Sequence, residues 1–175
     1  MGILIRLAGP HDAGSVCQIL CRSITECCQQ DHQNDPQILK AWLGNKKPEH
    51  VAGWFTSASN HALIAELDGQ PCGVALLTQA GKLSLCYVLP EAQGQGIGKA
   101  LLQRIECQAQ AWGISVVRLH STATASAFFT HHGYASSGKE KSCFGLDCEF
   151  LWKKLDGEPS PDGAGRQRFC KCSMG

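Results

Sequence analysis

The chain has 175 residues, 43% of them apolar, enough to bury one sizeable core and too few for two. Its 16 basic and 15 acidic residues leave a net charge of +1 with no long basic run, so nucleic acid is not expected as a partner. No apolar stretch approaches the roughly 18 residues that span a bilayer, and no export or lipidation signal is legible, so the expected setting is the cytoplasm, with no membrane partner.

Residues Ile3 to Leu7 read as a first strand, followed by the turn Gly9-Pro10-His11-Asp12 with Asp12 as N-cap of a helix. That helix carries Val16, Ile19, Leu20, Ser23, Ile24 and Cys27 at helical spacing, and the polar stretch Gln29 to Asn34 is expected to end it. Asp35-Pro36 predicts a cap and first turn for a second helix running to Leu43, and Lys46 to Glu49 opens a short one through Trp54 and Phe55. The period then changes to that of strands. His61 to Leu67 and Pro71 to Thr78 flank Asp68-Gly69, a hairpin signal, and Ala80-Gly81 turns into a third run, Leu83 to Leu89.

That run ends in Gln93-Gly94-Gln95-Gly96-Ile97-Gly98-Lys99, and a helix pattern follows from Ile97 to Trp112. A glycine-rich turn between strand and helix directs free N–H groups and the positive end of a helix dipole at one spot, a site for phosphate or pyrophosphate. The dinucleotide spacing G-x-G-x-x-G and the Walker A spacing both fail here, which counts against NAD and ATP. Beyond it, Ser115 to Ser121 reads as a strand, and Ala125 to His132 as a short helix stopped by Gly133. Ser136 to Lys139 is expected to turn, and Cys143 to Leu155 to form the last strand region. Residues 156–175, rich in Pro, Gly and Ser, are expected to be a disordered tail to a single domain of residues 1–155.

The pattern Q-x-x-G-x-G at Gln93 to Gly98, preceded by V-x-P at Val88-Leu89-Pro90, resembles the acetyl-CoA-binding motif of the GNAT superfamily of N-acetyltransferases. Ala125-Ser126-Ala127-Phe128-Phe129-Thr130-His131-His132-Gly133-Tyr134 is similar to that family's A-x-x-F-Y-x-x-x-G-F/Y block. The resemblance implies an α/β fold, a mixed and mostly antiparallel sheet flanked by helices and splayed at the acetyl-CoA site. It also implies acetyl-CoA as cosubstrate and a small-molecule or peptide amine as acceptor. Carried over by motif, cosubstrate contacts fall on Cys86, Tyr87, Val88, Gln93, Gly94, Gln95, Gly96, Ile97, Gly98, Lys99, Thr122, Ser126 and Phe129. The edge from Cys86 to Val88 would pair with the pantetheine arm, with an N–H near Val88 facing the thioester carbonyl.

One departure matters for catalysis. Phe129 stands where the family often has a tyrosine that protonates the leaving thiolate, and phenylalanine has no proton to give. A thiol with a pKa near 8.5 leaves tolerably well, so the loss slows the chemistry without forbidding it. His120, at the end of a strand where some relatives have a glutamate, is the first candidate for the base, since imidazole titrates near 6.5. Cys86 is the second, and both residues also read as ordinary strand positions. Asp31, His32 and Asp35 lie where the family walls its acceptor site, though a solvated loop with a helix cap is the favoured reading of the same residues. A CoA-thioester-binding regulatory module with little catalysis is the alternative reading, kept open by Phe129.

Eleven cysteines suggest disulfides or metal, but the count is odd and most sit within apolar patterns as small hydrophobes. Cys143-x4-Cys148, Cys170-x-Cys172 and His131-His132 lack zinc-site spacing, so no metal is expected. Many members of the family dimerise, and the apolar Phe150 to Trp152 would be the patch for a homodimer.

Overall fold

The computed structural model describes residues 2–142 and 144–155; Cys143 and the tail expected over 156–175, with Cys170 and Cys172, lie outside the described residues. Seven strands form two sheets. The first runs β1 (Ile3–Leu7), β2 (Asn60–Leu67), β3 (Gln70–Thr78), β4 (Leu83–Val88), all antiparallel. The second runs β5 (Val116–Ser121), β7 (Asp147–Lys154), β6 (Ala135–Lys141), also antiparallel. β4 and β5 lie side by side and parallel, joined only by a bridge between Lys82 and Arg118, and then diverge. The expected splay therefore lies at the centre of the molecule.

Two features set the point of divergence. Gly81 has φ +83°, and a Cβ there would meet Val116 O at 2.8 Å, so only glycine lets the two sheets meet before β4. Within β4, Leu85 faces Leu76 while Leu83 faces Leu77, so Ser84 is an extra residue that bends the strand away.

Helices cover both faces. α5 (Ile97–Ala111) buries Ile97, Leu101, Leu102, Ile105 and Ala109, a stripe of helical period, against β3 and β4. α6 (Ala123–His131) packs Phe129 into the same core, where it meets Tyr134 edge-on at 5.6 Å. On the opposite face α1 (Ala13–Arg22) and α4 (Pro48–Thr56) bury Val16, Ile19, Leu20 and Val51 on the first sheet. α3 (Pro36–Leu43) places Trp42 beside Ile24, Cys28 and Cys148. Each fully buried aliphatic side chain contributes roughly 1.5–3 kcal/mol.

The hairpin at Asp68-Gly69 has the two left-handed residues its sequence predicts, φ +51° and +81°. Three expectations are corrected and one, the Asp12 N-cap, holds in position only. Asp12 occupies the N-cap position of α1 without making a cap bond; its carboxylate instead takes both Arg6 guanidinium nitrogens, at 2.8 and 2.9 Å, and the Gly9 N–H. The first helix stops being α-helical at Arg22 and continues as a π-helical turn, Ser23–Cys27. The polar stretch after it contains a short helix, α2 (Gln29–His32), with His32 fully buried. Its Nε2 lies 3.1 Å from Ile24 O and 3.2 Å from Thr25 O, carbonyls of the π turn, and its Nδ1 accepts from Asn34 N–H. The stretch Ser136 to Lys139, expected as a turn, is instead inside β6, and the last strand begins at Asp147.

Candidate functional site

The glycine turn is built as its residues require. The helix α5 starts after Gly96, whose φ is +83°, and Gly94 has φ +75°. Among the described residues no acceptor takes the N–H groups of Gly94 through Lys99; the first main-chain bond is Ala100 N–H to Gly96 O. Gly94, Gln95, Gly96 and Lys99 are exposed, so unpaired donors meet solvent at a helix N-terminus, the arrangement that holds an anion. Gly98 serves a different end, since a Cβ there would stand 3.3 Å from the Phe128 ring. It lets α5 and α6 approach. Ile97 is core, and the Lys99 side chain is exposed.

The glutamines bond to protein. Gln93 Nε2 donates to Val88 O at 3.3 Å and to Cys27 Sγ at 3.2 Å, and Gln95 Nε2 donates to Glu91 O. Ser23 Oγ, on the π turn, also donates to Val88 O, at 3.1 Å. These bonds pin the start of the turn to the end of β4 and to the C-terminal end of the first helix.

Between the diverging strands lies a cleft. Ser84, Cys86 and Tyr87 line one wall, Leu119, His120, Ser121 and Thr122 the other, and Phe129 of α6 the floor. Leu89 N–H donates to Cys72 O across the β3 pairing. Because alternate residues of an antiparallel strand point their N–H groups in opposite directions, Val88 and Cys86 turn theirs toward the open edge. Burial pushes the Cys86 thiol up to about 12, and the Tyr87 phenol also rises above its ordinary value for the same reason. Both therefore stay protonated at neutral pH.

The second wall carries the polar chemistry. β5 alternates, with Val117, Leu119 and Ser121 buried and His120 exposed on the face away from α6. His120 Nε2 lies 2.9 Å from Glu140 Oε2, and its ring tilts against Phe150 at 5.3 Å. Thr122 caps α6, its hydroxyl accepting from Ala125 N–H, while the Ser126 hydroxyl donates to Glu149. Phe129 is 4% exposed. Tyr134 turns its own hydroxyl to Glu106, 3.1 Å away and beside Lys153.

Of the three residues expected at an acceptor wall, Asp31 is at the mouth, His32 is core, and Asp35 caps α3. The Asp31 carboxylate accepts from Ala123 N–H at 2.6 Å and from the Thr124 hydroxyl, so it caps α6 from another part of the chain. Ser23 and Glu140 have no motif, and sequence reasoning passes over them. Among the described residues there is no cluster of three metal-ligating side chains, and no helix is long and apolar enough to cross a membrane.

Known proteins share this fold. The family model of the acetyltransferase (GNAT) domain matches residues 28–148. An amino-acid acetyltransferase of Pseudomonas putida is 39% identical over 83 residues, 45% of this chain and 19% of that protein, so the chain spans about a fifth of that relative's length. An IAA acetyltransferase of Azospirillum brasilense is 37% identical over 110 residues, covering 51% of this chain and 72% of that protein. A GCN5-related N-acetyltransferase from Rhodopseudomonas palustris superposes with a TM-score of 0.79 at 23% identity, over 89% of this chain and 97% of that one. The PaiA N-acetyltransferase of Thermoplasma acidophilum, solved in complex with coenzyme A, gives 0.73 at 21%, over 89% and 100%. With an open strand edge, six free N–H groups at the turn after it, and a family model matching more than half of its length, the chain belongs to the GNAT acetyltransferase family.

Proposed function

We propose that the protein is an acetyl-CoA-dependent N-acetyltransferase that moves the acetyl group to a primary amine, on a small molecule or peptide, by direct transfer in a ternary complex. The observation that carries this is the row of unpaired N–H groups from Gly94 to Lys99 at the end of an open strand edge. Acetyl-CoA supplies an activated acyl group on a thiol that leaves. The coenzyme A bound to the Thermoplasma relative supports this choice of cosubstrate.

The chain's own residues divide the remaining work. The turn binds pyrophosphate through main chain, and the outward N–H groups of Cys86 and Val88 align the arm along β4. The Val88 N–H faces the place where negative charge develops on the carbonyl oxygen. His120 takes the proton of the amine as the new bond forms. Cys86 enters as a lining thiol, since a group held protonated at neutral pH is no base. Phe129 leaves solvent to reprotonate the thiolate. Among the described residues Cys17, Cys21, Cys27, Cys28, Cys72, Cys86 and Cys148 stay as thiols, which supports a reducing, cytoplasmic setting.

A second reading, a module that binds CoA thioesters and regulates, draws on Phe129 alone. Calorimetric titration with acetyl-CoA, CoA, ATP and NAD, followed by a thiol-release screen of L-amino acids, polyamines and peptides, separates the two. Acetyl-CoA binding with turnover on one amine class is the expected result. Binding without turnover on any class favours the module, and no acetyl-CoA binding by folded protein ends both.

A further inference from the structure

We infer that Glu140 is a positioning residue for His120: it holds the imidazole by Nε2 and presents Nδ1 to the acceptor amine. The inference rests on the reading of His120 as base, and a bulge in β6 carries it.

The register across the second sheet decides which side chain meets His120. His120 pairs with Phe150 on β7, so the two side chains share a face, and Cys148 shares it because it lies two residues away. On the far side of β7, Ser136 pairs with Leu151 but Lys139 pairs with Glu149. Three steps along β6 match two along β7. One residue is extra, in a stretch where Gly138 has φ +119°. Continuing the register of Ser136 would set Lys139 opposite Cys148; the bulge sets Glu140 there instead. A carboxylate thus replaces an ammonium on the face that carries His120.

The contact is a hydrogen bond of 2.9 Å between partly exposed groups, 36% for His120 and 58% for Glu140. Exposed pairs of this kind add little to folding, so stability gives small reason for it. Its chemical consequence is larger. A carboxylate only accepts, so Nε2 carries the proton and the lone pair is on Nδ1, which has no protein partner among the described residues. The Phe150 ring against the imidazole limits its rotation. In the transfer the amine nitrogen bonds to the thioester carbon, the carbon–sulfur bond breaks with its electron pair on sulfur, and the amine proton passes to Nδ1. The imidazolium formed is then paired with Glu140 until it releases its proton to solvent.

The experiment combines imidazole ¹⁵N NMR of the full chain, with His120 assigned through H120A, and kinetics of E140A, K139A and H120A/E140A on the best amine of the screen. In the wild type the Nε2-bound proton of His120 is expected to exchange slowly with solvent, and in E140A rapidly, with Tm unchanged. E140A should lower kcat about tenfold, part of the ~10² to 10⁴ that a positioned base supplies, with KM for acetyl-CoA unmoved. In the H120A background the same change should cost nothing, and K139A should be silent. Equal exchange in wild type and E140A overturns the inference. So does an E140A loss that persists without His120, because Glu140 would then act on the acceptor. Full kcat in H120A is a separate result: it removes the base and the inference together, while acetyl-CoA binding stands.

Discussion

The glycine turn after β4 and the mouth of the cleft on the second sheet are assembled differently. The turn takes six donors from one unbroken stretch, Gly94 to Lys99, and all are main chain. The mouth takes His120 from β5, Glu140 from β6 and Phe150 from β7, side chains that meet only through sheet register, while Asp31 of α2 docks on the start of α6. A contiguous backbone site needs permissive φ and little else. A composite site needs every register around it to be right.

The largest expected effect lies in the turn. Gly96→Val must hold φ +83° with a branched side chain, at a cost of roughly 1–2 kcal/mol, and screens the N–H groups beside it. Acetyl-CoA affinity measured by calorimetry should fall more than about 100-fold, or ~2.7 kcal/mol. Gln95→Ala keeps every N–H and should change affinity less than about threefold; a large loss there would break the distinction between main-chain and side-chain recognition. At the mouth, His120→Ala should lower kcat about 100-fold while leaving acetyl-CoA binding intact. Unchanged kcat from about pH 6 to about pH 9 would remove His120 as the base.

Smaller effects separate folding from both regions. The Arg6 guanidinium, helped by the Gly9 N–H, holds the Asp12 carboxyl below its usual range, and Asp12 is 5% exposed. A depressed carboxyl stabilises the fold above its unfolded value, near 3.9, and loses that contribution as pH falls through the folded value. Asp12→Asn should therefore cost roughly 1–3 kcal/mol at neutral pH, a gap in Tm that narrows below about pH 4, with acetyl-CoA binding unaffected. Asp31→Ala removes a helix cap worth about 1 kcal/mol. Its Tm should drop modestly and KM for the acceptor should rise, with the Kd of acetyl-CoA nearly constant; the reverse pattern would place Asp31 with the turn.

Local features were legible where one short stretch both states and satisfies a requirement. Asp68-Gly69 supplies two left-handed residues for its hairpin, and the stripe from Ile97 to Ala109 supplies a buried face for α5. Phe129 was legible as a missing hydroxyl, and Tyr134, the tyrosine that packs against it, turns its own hydroxyl to Glu106. His32 was misread because its polarity suggests solvent, while the π turn before it leaves two carbonyls that a buried imidazole satisfies. The segment Ser136 to Lys139 was read as a turn because β6 is exposed along its whole length, so it has no apolar alternation to mark a strand.

The sequence by itself determined the main-chain site, because glycine spacing, a preceding strand and a following helix act within about ten residues of chain and need no distant partner. Only the tertiary structure decided the mouth. Whether Lys139 or Glu140 faces His120 depends on one extra residue in β6, and a shift of one residue sends every side chain of a strand to the other face.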